Sequence, residues 1–227
     1  MSRADEQFRL WADWYKRVAG LEGELDYLLQ GREVLYSTAG VFMAGGDAYD
    51  FHALDFFLRW LGSHWAGSTA VRLRAMTEKD DQTDSFRALL AKVRAHPHVF
   101  TRARYLEMVR ADTDAYLFER GNKEWEDRYG SGAEIDPEIL DADIAAIDAA
   151  AAPVAEFATK RIAHLDKKWS EIKSTYGPVY NCLEVLKELS AKYAPLFTGE
   201  MMAGRFGFSR WDARAALIPG EWKKAKQ

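Results

Sequence analysis

Apolar side chains recur every three or four positions along most of the chain, which is the spacing of one face of an α-helix. The first such run extends from Asp5 to about Tyr36, and the second from Tyr49 to about Thr77. The second run is apolar on nearly every side, so we expect its helix to lie at the centre of a bundle. Ser37 to Asp47 contains three glycines and is predicted to connect the two helices.

Capping residues mark the helix boundaries in the middle of the chain. Asp84 or Ser85 precedes an apolar run, and serine and aspartate are favoured at the residue before the first helical turn. This helix is expected to end near His96-Pro97, because proline disfavours a helical conformation in the residue before it. Thr101 is expected to cap the short helix that follows.

The second half of the chain contains two further helical runs. Asp136-Pro137 starts the first, since aspartate favours the cap and proline the first helical position. That helix is predicted to continue to about Trp169, and another starts at Gly177-Pro178. No segment alternates apolar and polar residues with the period of two that is typical of a strand. The pattern therefore predicts an all-α protein, an antiparallel helical bundle.

We expect one helical domain over residues 1–227, because no linker clearly divides the chain. Its core bundle is predicted over about 5–195, together with additional helices. An irregular C-terminal extension covers about 198–227, where glycines are frequent and the helical period is weak. With 48% hydrophobic and 29% charged residues, the composition is that of an ordinary globular protein.

Cysteine usage and the absence of long apolar runs indicate the compartment. Cys182 is the single cysteine, so the chain has neither an intrachain disulfide nor a cysteine-ligated zinc site, and we expect its thiol to be buried. The N-terminal residues are charged, unlike a signal peptide, and no run approaches the roughly 18 apolar residues of a membrane helix. These features predict a cytoplasmic protein with no membrane segment.

A histidine inside a short basic stripe is the candidate for chemistry. Lys160 and Arg161 lie one predicted helical turn before His164, and Lys167 and Lys168 lie one turn after it. An imidazole can give or take a proton near neutral pH, and the neighbouring cations can hold a phosphate. This combination suits phosphodiester chemistry, and a solvated helix face is the alternative interpretation.

Two segments carry the pattern of a known family. One is Val71-Arg72-Leu73-Arg74 through Leu90, followed by His96-Pro97 and Thr101-Arg102, and the other is Lys160 to Lys167. The first resembles the middle of abortive-infection U-type (AbiU-like) proteins of the HEPN superfamily. The second resembles their R-D-K-R-x-A-H-x-D element. The resemblance extends from about Phe51 to Lys168, roughly half of the chain.

The resemblance implies an HEPN-like bundle that dimerises and, in active members, cleaves RNA without a metal ion or other cofactor. Of the family's catalytic residues only His164 carries over, and it would move protons at the ribose 2′-hydroxyl. Arg161 and Lys160, which share its predicted helical face, are the candidates to hold the phosphate. Lys167, Lys168, Arg102 and Arg104 would be further RNA-binding residues. The expected setting is a prokaryotic antiviral defence or toxin–antitoxin system. The expected partners are RNA, a second copy of the chain, and an antitoxin or another defence component.

The chain departs from the family pattern at one position of consequence. The family's arginine corresponds to position 157, 158 or 159, where this sequence has Phe157, Ala158 and Thr159. Lys160 or Arg161 is a candidate for the missing cation, although a lysine or a displaced arginine does not reproduce the same fork of donors. The alternative interpretation is therefore a catalytically silent HEPN module that serves for dimerisation or partner binding.

Two other pairs of residues contain a histidine and could carry chemistry. Arg59 and His64 have the arginine–histidine spacing of the family and form an alternative catalytic pair, but residues five apart are separated by about 140° around a helix. His52 and Asp55 lie on one helical face, and no Glu-x-x-His pair accompanies them. We therefore expect no metal site.

Overall fold

The computed structural model describes residues 3–44, 51–109, 114–159 and 176–198. Within these ranges it contains seven α-helices and no strand, which confirms the all-α prediction. The helices are α1 (Arg3–Ala44), α2 (Phe51–Met76), α3 (Phe86–Ala95), α4 (Arg102–Met108), α5 (Ala115–Tyr129), α6 (Pro137–Phe157) and α7 (Tyr176–Thr198), with a short 3-10 helix at Pro97–Val99.

The middle helices begin where capping chemistry predicts. Ser85, Thr101 and Asp136 each accept a hydrogen bond from a backbone N–H in the first turn of α3, α4 and α6, at 2.9, 3.3 and 2.9 Å. These bonds satisfy backbone donors that have no partner within the helix. Helix α3 ends at Ala95, directly before the His96-Pro97 pair.

The predicted connection at Ser37–Asp47 is wrong over most of its length, because α1 continues through Ala44. Gly40 is tolerated inside the helix, and a Cβ atom at that position would meet nothing within 4 Å. Thr38 is buried, and the Phe42 ring packs edge-on against Phe57 of α2 with 5.6 Å between centroids. Packing against α2 therefore extends the helix past the point at which the glycines suggested an end.

Helices α1, α2, α6 and α7 form the centre of the structure. Helix α7 contacts the other three, α2 contacts both α1 and α6, and α3 packs on the outer side of α6. The shared core is apolar, as shown by Trp14, Leu25, Leu29, Leu73, Leu90, Leu140, Val154, Val179, Leu183 and Phe197. Trp14 of α1 thus belongs to the core.

Helices α4 and α5 form an aromatic outer layer on α7. Tyr105 and Trp125 pack at 5.7 Å, and Trp125 packs on Tyr129 at 4.9 Å between centroids. Tyr129 reaches Tyr193 of α7 at 6.0 Å. Burial raises the pKa of the Tyr105 hydroxyl to about 12, because the charged phenolate is disfavoured away from water.

Cys182 lies in the core on α7, as the sequence predicts. Burial raises the pKa of its thiol to about 12, so the nucleophilic thiolate is scarce at neutral pH. The thiol acts as a small apolar side chain in the core.

No helix in the described ranges is long and apolar enough to cross a membrane. The predicted C-terminal extension at about 198–227 lies outside the described residues except for Thr198, the last residue of α7.

Candidate functional site

The predicted catalytic residues His164, Arg161 and Lys160, together with Lys167 and Lys168, lie outside the described residues. The residues on either side of that segment can be located. Thr159 lies at the end of α6, and its hydroxyl accepts a hydrogen bond from Nη1 of Arg74 on α2 at 3.3 Å. Tyr176 begins α7, and its hydroxyl lies 1.9 Å from where a Cβ on Gly62 of α2 would be. The chain thus leaves and re-enters the described structure beside α2.

The alternative pair, Arg59 and His64, has separate partners on α2. Nη2 of Arg59 lies 2.5 Å from Oδ2 of Asp55, and this hydrogen bond, with the carboxylate charge, raises the pKa of the guanidinium. Nδ1 of His64 lies 3.0 Å from the carbonyl oxygen of Trp60, and the two rings pack at 4.4 Å between centroids. No hydrogen bond links Arg59 with His64 within the described part of α2, as the angle between their positions predicts.

Arg102 is half-buried, and its side chain forms hydrogen bonds with residues of α5. Its Nε donates to Oδ1 of Asn122 and its Nη2 to Oε1 of Glu126, both at 2.6 Å. Its backbone N–H donates to the carbonyl of Ala133 at 2.8 Å. The two side-chain bonds hold α4 against α5 and use two of the five N–H donors of the guanidinium. RNA contact by Arg102 remains a prediction, and it would have to share this side chain with the α4–α5 contact.

Arg104 lies over the aromatic face of α1. Its Cζ is 5.2 Å from the centroid of the Trp11 ring, within cation–π distance. Burial lowers the pKa of this guanidinium, and the nearby charge of Glu107 acts in the opposite direction. Trp11 in turn stacks on Tyr15 at 5.6 Å. Arg104 is therefore partly withdrawn from solvent, and its role in RNA binding remains a prediction.

Most arginines in the described ranges form an ion pair with a carboxylate. Such ion pairs are formed by Arg17, Arg32, Arg59, Arg72, Arg87, Arg94, Arg102 and Arg120. A paired arginine adds little net positive charge to a surface, whereas nucleic-acid binding depends on uncompensated cations. Other cations of the described helices form no ion pair with a described carboxylate, and Arg74 is one of them, with the hydroxyl of Thr159 as its hydrogen-bond partner.

The N-terminal half of α2 carries an exposed aromatic surface, which we define as Phe56, Phe57 and Trp60. Their exposed fractions are 72%, 39% and 48%. Helix α2 contacts α1, α6 and α7, as expected of a central helix, but these three side chains of its N-terminal half stay exposed. Exposed aromatic clusters of this kind mark interaction surfaces in soluble proteins. The apolar pattern of α2 already indicates such an exposed surface, because a helix that is apolar on every side has more apolar surface than its neighbours can cover.

A second aromatic cluster joins α1, α2 and α7. Tyr180 stacks on Tyr36 at 5.8 Å and on Tyr176 at 6.2 Å, and Trp65 packs against it at 5.3 Å. Burial and the hydrogen bond with Tyr36 raise the pKa of the Tyr180 hydroxyl. The sequence alone does not predict this cluster, because its members come from three helices and only their proximity in the fold connects them.

The described residues contain no group of three or more histidine, cysteine, aspartate or glutamate side chains placed to hold a metal ion. Comparison with protein-family models found no match, and neither did comparison with curated proteins or with solved structures. The fold and the sequence together define an all-α helical protein.

Proposed function

We propose that this protein is an RNA-targeting protein of HEPN type that belongs to a prokaryotic defence or toxin-like system. The observation that carries the proposal is the basic stripe around His164, which directly follows α6 in the sequence. A helical bundle is the fold class that such a protein requires. The sequence places five basic residues within nine positions in this stripe, more closely spaced than the cations of the flanking helices α6 and α7.

The proposed reaction is metal-independent cleavage of an RNA phosphodiester. His164 accepts the proton of the ribose 2′-hydroxyl as its oxygen bonds to phosphorus. The bond from phosphorus to the 5′-oxygen breaks, and that oxygen takes the proton back from the imidazolium. The products are a 2′,3′-cyclic phosphate and a 5′-hydroxyl. Arg161 and Lys160 hold the phosphate oxygens, on which negative charge develops in the transition state.

The proposed setting is a cytoplasmic homodimer in which RNA lies in a groove between the two subunits. An antitoxin or another defence component is the proposed type of protein partner. Such a partner would keep the nuclease inactive until it is needed. Dimerisation brings two copies of a short basic stripe onto one RNA, which compensates for the small number of cations in each stripe.

The test is incubation of the purified protein with total RNA in the presence of a chelator. We expect the wild-type protein to cleave RNA and His164→Ala to lose the activity by at least about 100-fold, the order of effect of removing a general base. His64→Ala is the matched control, since it removes an exposed imidazole on α2 whose contacts are to Trp60 alone among the interactions described above. Equal cleavage by the wild-type protein and His164→Ala would exclude the proposed role of His164.

A second candidate function is a catalytically silent HEPN module that serves as a dimerisation scaffold. Two observations favour it: Thr159 occupies a position where the family pattern allows arginine, and the aromatic surface Phe56–Phe57–Trp60 is exposed. We expect Phe56→Ser with Trp60→Ser to convert a dimer to a monomer in sedimentation experiments, and His164→Ala to leave both assembly and any growth phenotype unchanged. Loss of the phenotype in His164→Ala would reject this candidate.

A further inference from the structure

Arg74 occupies an unusual place among the arginines of the bundle. It lies in the last turn of α2 with an exposed side chain, and its Nη1 donates to the hydroxyl of Thr159 at 3.3 Å. Thr159 is also exposed, and Lys160 and Arg161 follow it directly in the sequence. The hydrogen bond therefore brings a guanidinium from α2 to the point at which the basic stripe begins, although 85 positions separate the two residues in the chain.

The charge environment of Arg74 differs from that of its neighbour Arg72. Arg72 pairs with Glu24 at 2.5 Å, which compensates its charge. The described structure gives Arg74 one neutral hydroxyl as its partner and no carboxylate. A neutral acceptor uses one of the five N–H donors of a guanidinium and leaves its charge uncompensated. Arg74 can therefore present a fork of free donors to an anion.

The surface beside Arg74 has room for a ligand. A groove of about 310 Å³ runs between the end of α2 and an alanine-rich face of α6, and Arg74 and Lys79 line it together with Ala151 and Ala155. Two acidic residues line this groove, Glu78 just after α2 and Asp148 on α6. Lys79 and Arg87 both pair with Asp148, at 3.1 and 3.4 Å. Two cations thus share one carboxylate, so the α6 side of the groove does not repel an anion bound at Arg74.

We propose that Arg74 is a phosphate-binding residue, which supplies from α2 the arginine that the sequence lacks at positions 157–159. The inference rests on the proposed RNA-targeting function and identifies a further group of that site. Thr159 acts as the positioning residue, because its hydroxyl fixes the guanidinium at the end of α6. Arginine suits this role since its planar donors match two phosphate oxygens at once. The phosphate is that of the RNA backbone, so binding is independent of base sequence.

A structural role for Arg74 makes a different prediction. If its function were to tie α2 to α6 through Thr159, removal would lower the melting temperature and leave RNA affinity unchanged at temperatures where the protein is folded. If Arg74 binds phosphate, removal lowers RNA affinity with little change in melting temperature, because an exposed hydrogen bond to one hydroxyl contributes little to stability. The two readouts therefore separate the roles.

The experiment measures binding of a fluorescent single-stranded RNA of about 20 nucleotides by anisotropy, in chelator, between about 50 and 200 mM salt. We expect Arg74→Ala to weaken binding about 10-fold and to reduce the salt slope by about 0.7, the value for one lost phosphate contact on a single strand. Arg74→Lys should recover part of the affinity, and Thr159→Val should weaken binding less than Arg74→Ala. Arg72→Ala is the matched control, because it removes an arginine two residues away whose charge is already paired.

The outcomes distinguish this inference from the function on which it rests. If the wild-type protein binds RNA and Lys160→Ala with Arg161→Ala abolishes binding, whereas Arg74→Ala behaves like Arg72→Ala, the assignment of Arg74 is overturned and the proposed function stands. If the wild-type protein neither binds nor cleaves RNA, the proposed function is overturned, and the inference with it. A weakened Arg74→Ala with an unchanged salt slope also counts against a phosphate contact.

Discussion

Gly62 provides a quantitative test of how α2 and α7 meet. An alanine Cβ at this position would lie 1.9 Å from the hydroxyl oxygen of Tyr176 and 3.0 Å from its Cζ, both shorter than any ordinary contact. The Tyr176 ring must therefore move, and it would lose its stacking on Tyr180 at 6.2 Å. Forcing an extra methyl group into a filled site typically destabilises a protein by about 1 to 3 kcal/mol.

An opposing effect has to be subtracted from that figure. Replacing glycine by alanine in the interior of a helix usually stabilises it by about 0.5 to 1 kcal/mol, because the unfolded chain loses conformational freedom. We therefore expect Gly62→Ala to lower the free energy of unfolding by about 1 kcal/mol, as the overpacking term less the helix term. Gly20 of α1 is the matched control, since a Cβ there would meet nothing within 4 Å. Gly20→Ala should stabilise the protein by about 0.5 to 1 kcal/mol.

Urea unfolding of the two single variants and of a double-mutant cycle measures these effects. In the Tyr176→Phe background the nearest atom to the new methyl group is removed, so Gly62→Ala should destabilise the protein less than it does in the wild type. If Gly62→Ala instead stabilises the protein as much as Gly20→Ala does, the close contact between α2 and Tyr176 does not exist in solution.

Two further predictions concern the α4–α5 layer. Arg102→Ala should lower the free energy of unfolding, measured in urea, by about 1 to 3 kcal/mol, because the bonds to Asn122 and Glu126 are lost. Arg102→Lys should recover little of this free energy. An unchanged midpoint of urea unfolding in Arg102→Ala would contradict the structural role of Arg102. Burial raises the pKa of Tyr105 from 10.0 to about 12, and a raised folded-state pKa means that this stability is fully present below pH 10 and is lost as the pH rises through 12. The buried Cys182 thiol, whose pKa is raised from 9.0 to about 12, should make the free energy of unfolding decline from about pH 9, and Tyr105 should steepen that decline between pH 10 and 12. Tyr105→Phe should reduce the fall above pH 10, and an unchanged fall in this variant would contradict the burial of Tyr105.

Helix starts were predictable from sequence because capping is local chemistry. Ser85, Thr101 and Asp136 each bond a backbone donor within three positions, so the information that fixes these boundaries lies within a few residues. The end of α1 was not predictable in the same way. Its continuation past Gly40 depends on contacts such as Phe42 with Phe57, and a local pattern does not include the neighbouring helix.

The candidate site was predictable only as a list of residue types. The pattern around Lys160 and Arg161 indicates phosphate chemistry, but it contains no information about which other helices approach that segment. The contact of Arg74 with Thr159 joins residues 85 positions apart and could be found only from the fold. In the same way, the half-buried Arg102 joins α4 to α5 through Asn122 and Glu126, which sequence spacing does not connect to it.

Helix α2 connects the two candidate functions and also allows them to be tested separately. The aromatic surface begins at Phe56 and Arg74 lies 18 positions later, so about 27 Å of helix separates them at 1.5 Å per residue. A substitution at one end changes no contact at the other, and effects of sites this far apart normally add. Loss of RNA binding after a change at Phe56 would therefore mean that binding requires a dimer, whereas loss at Arg74 with assembly intact would locate the phosphate contact on the single subunit.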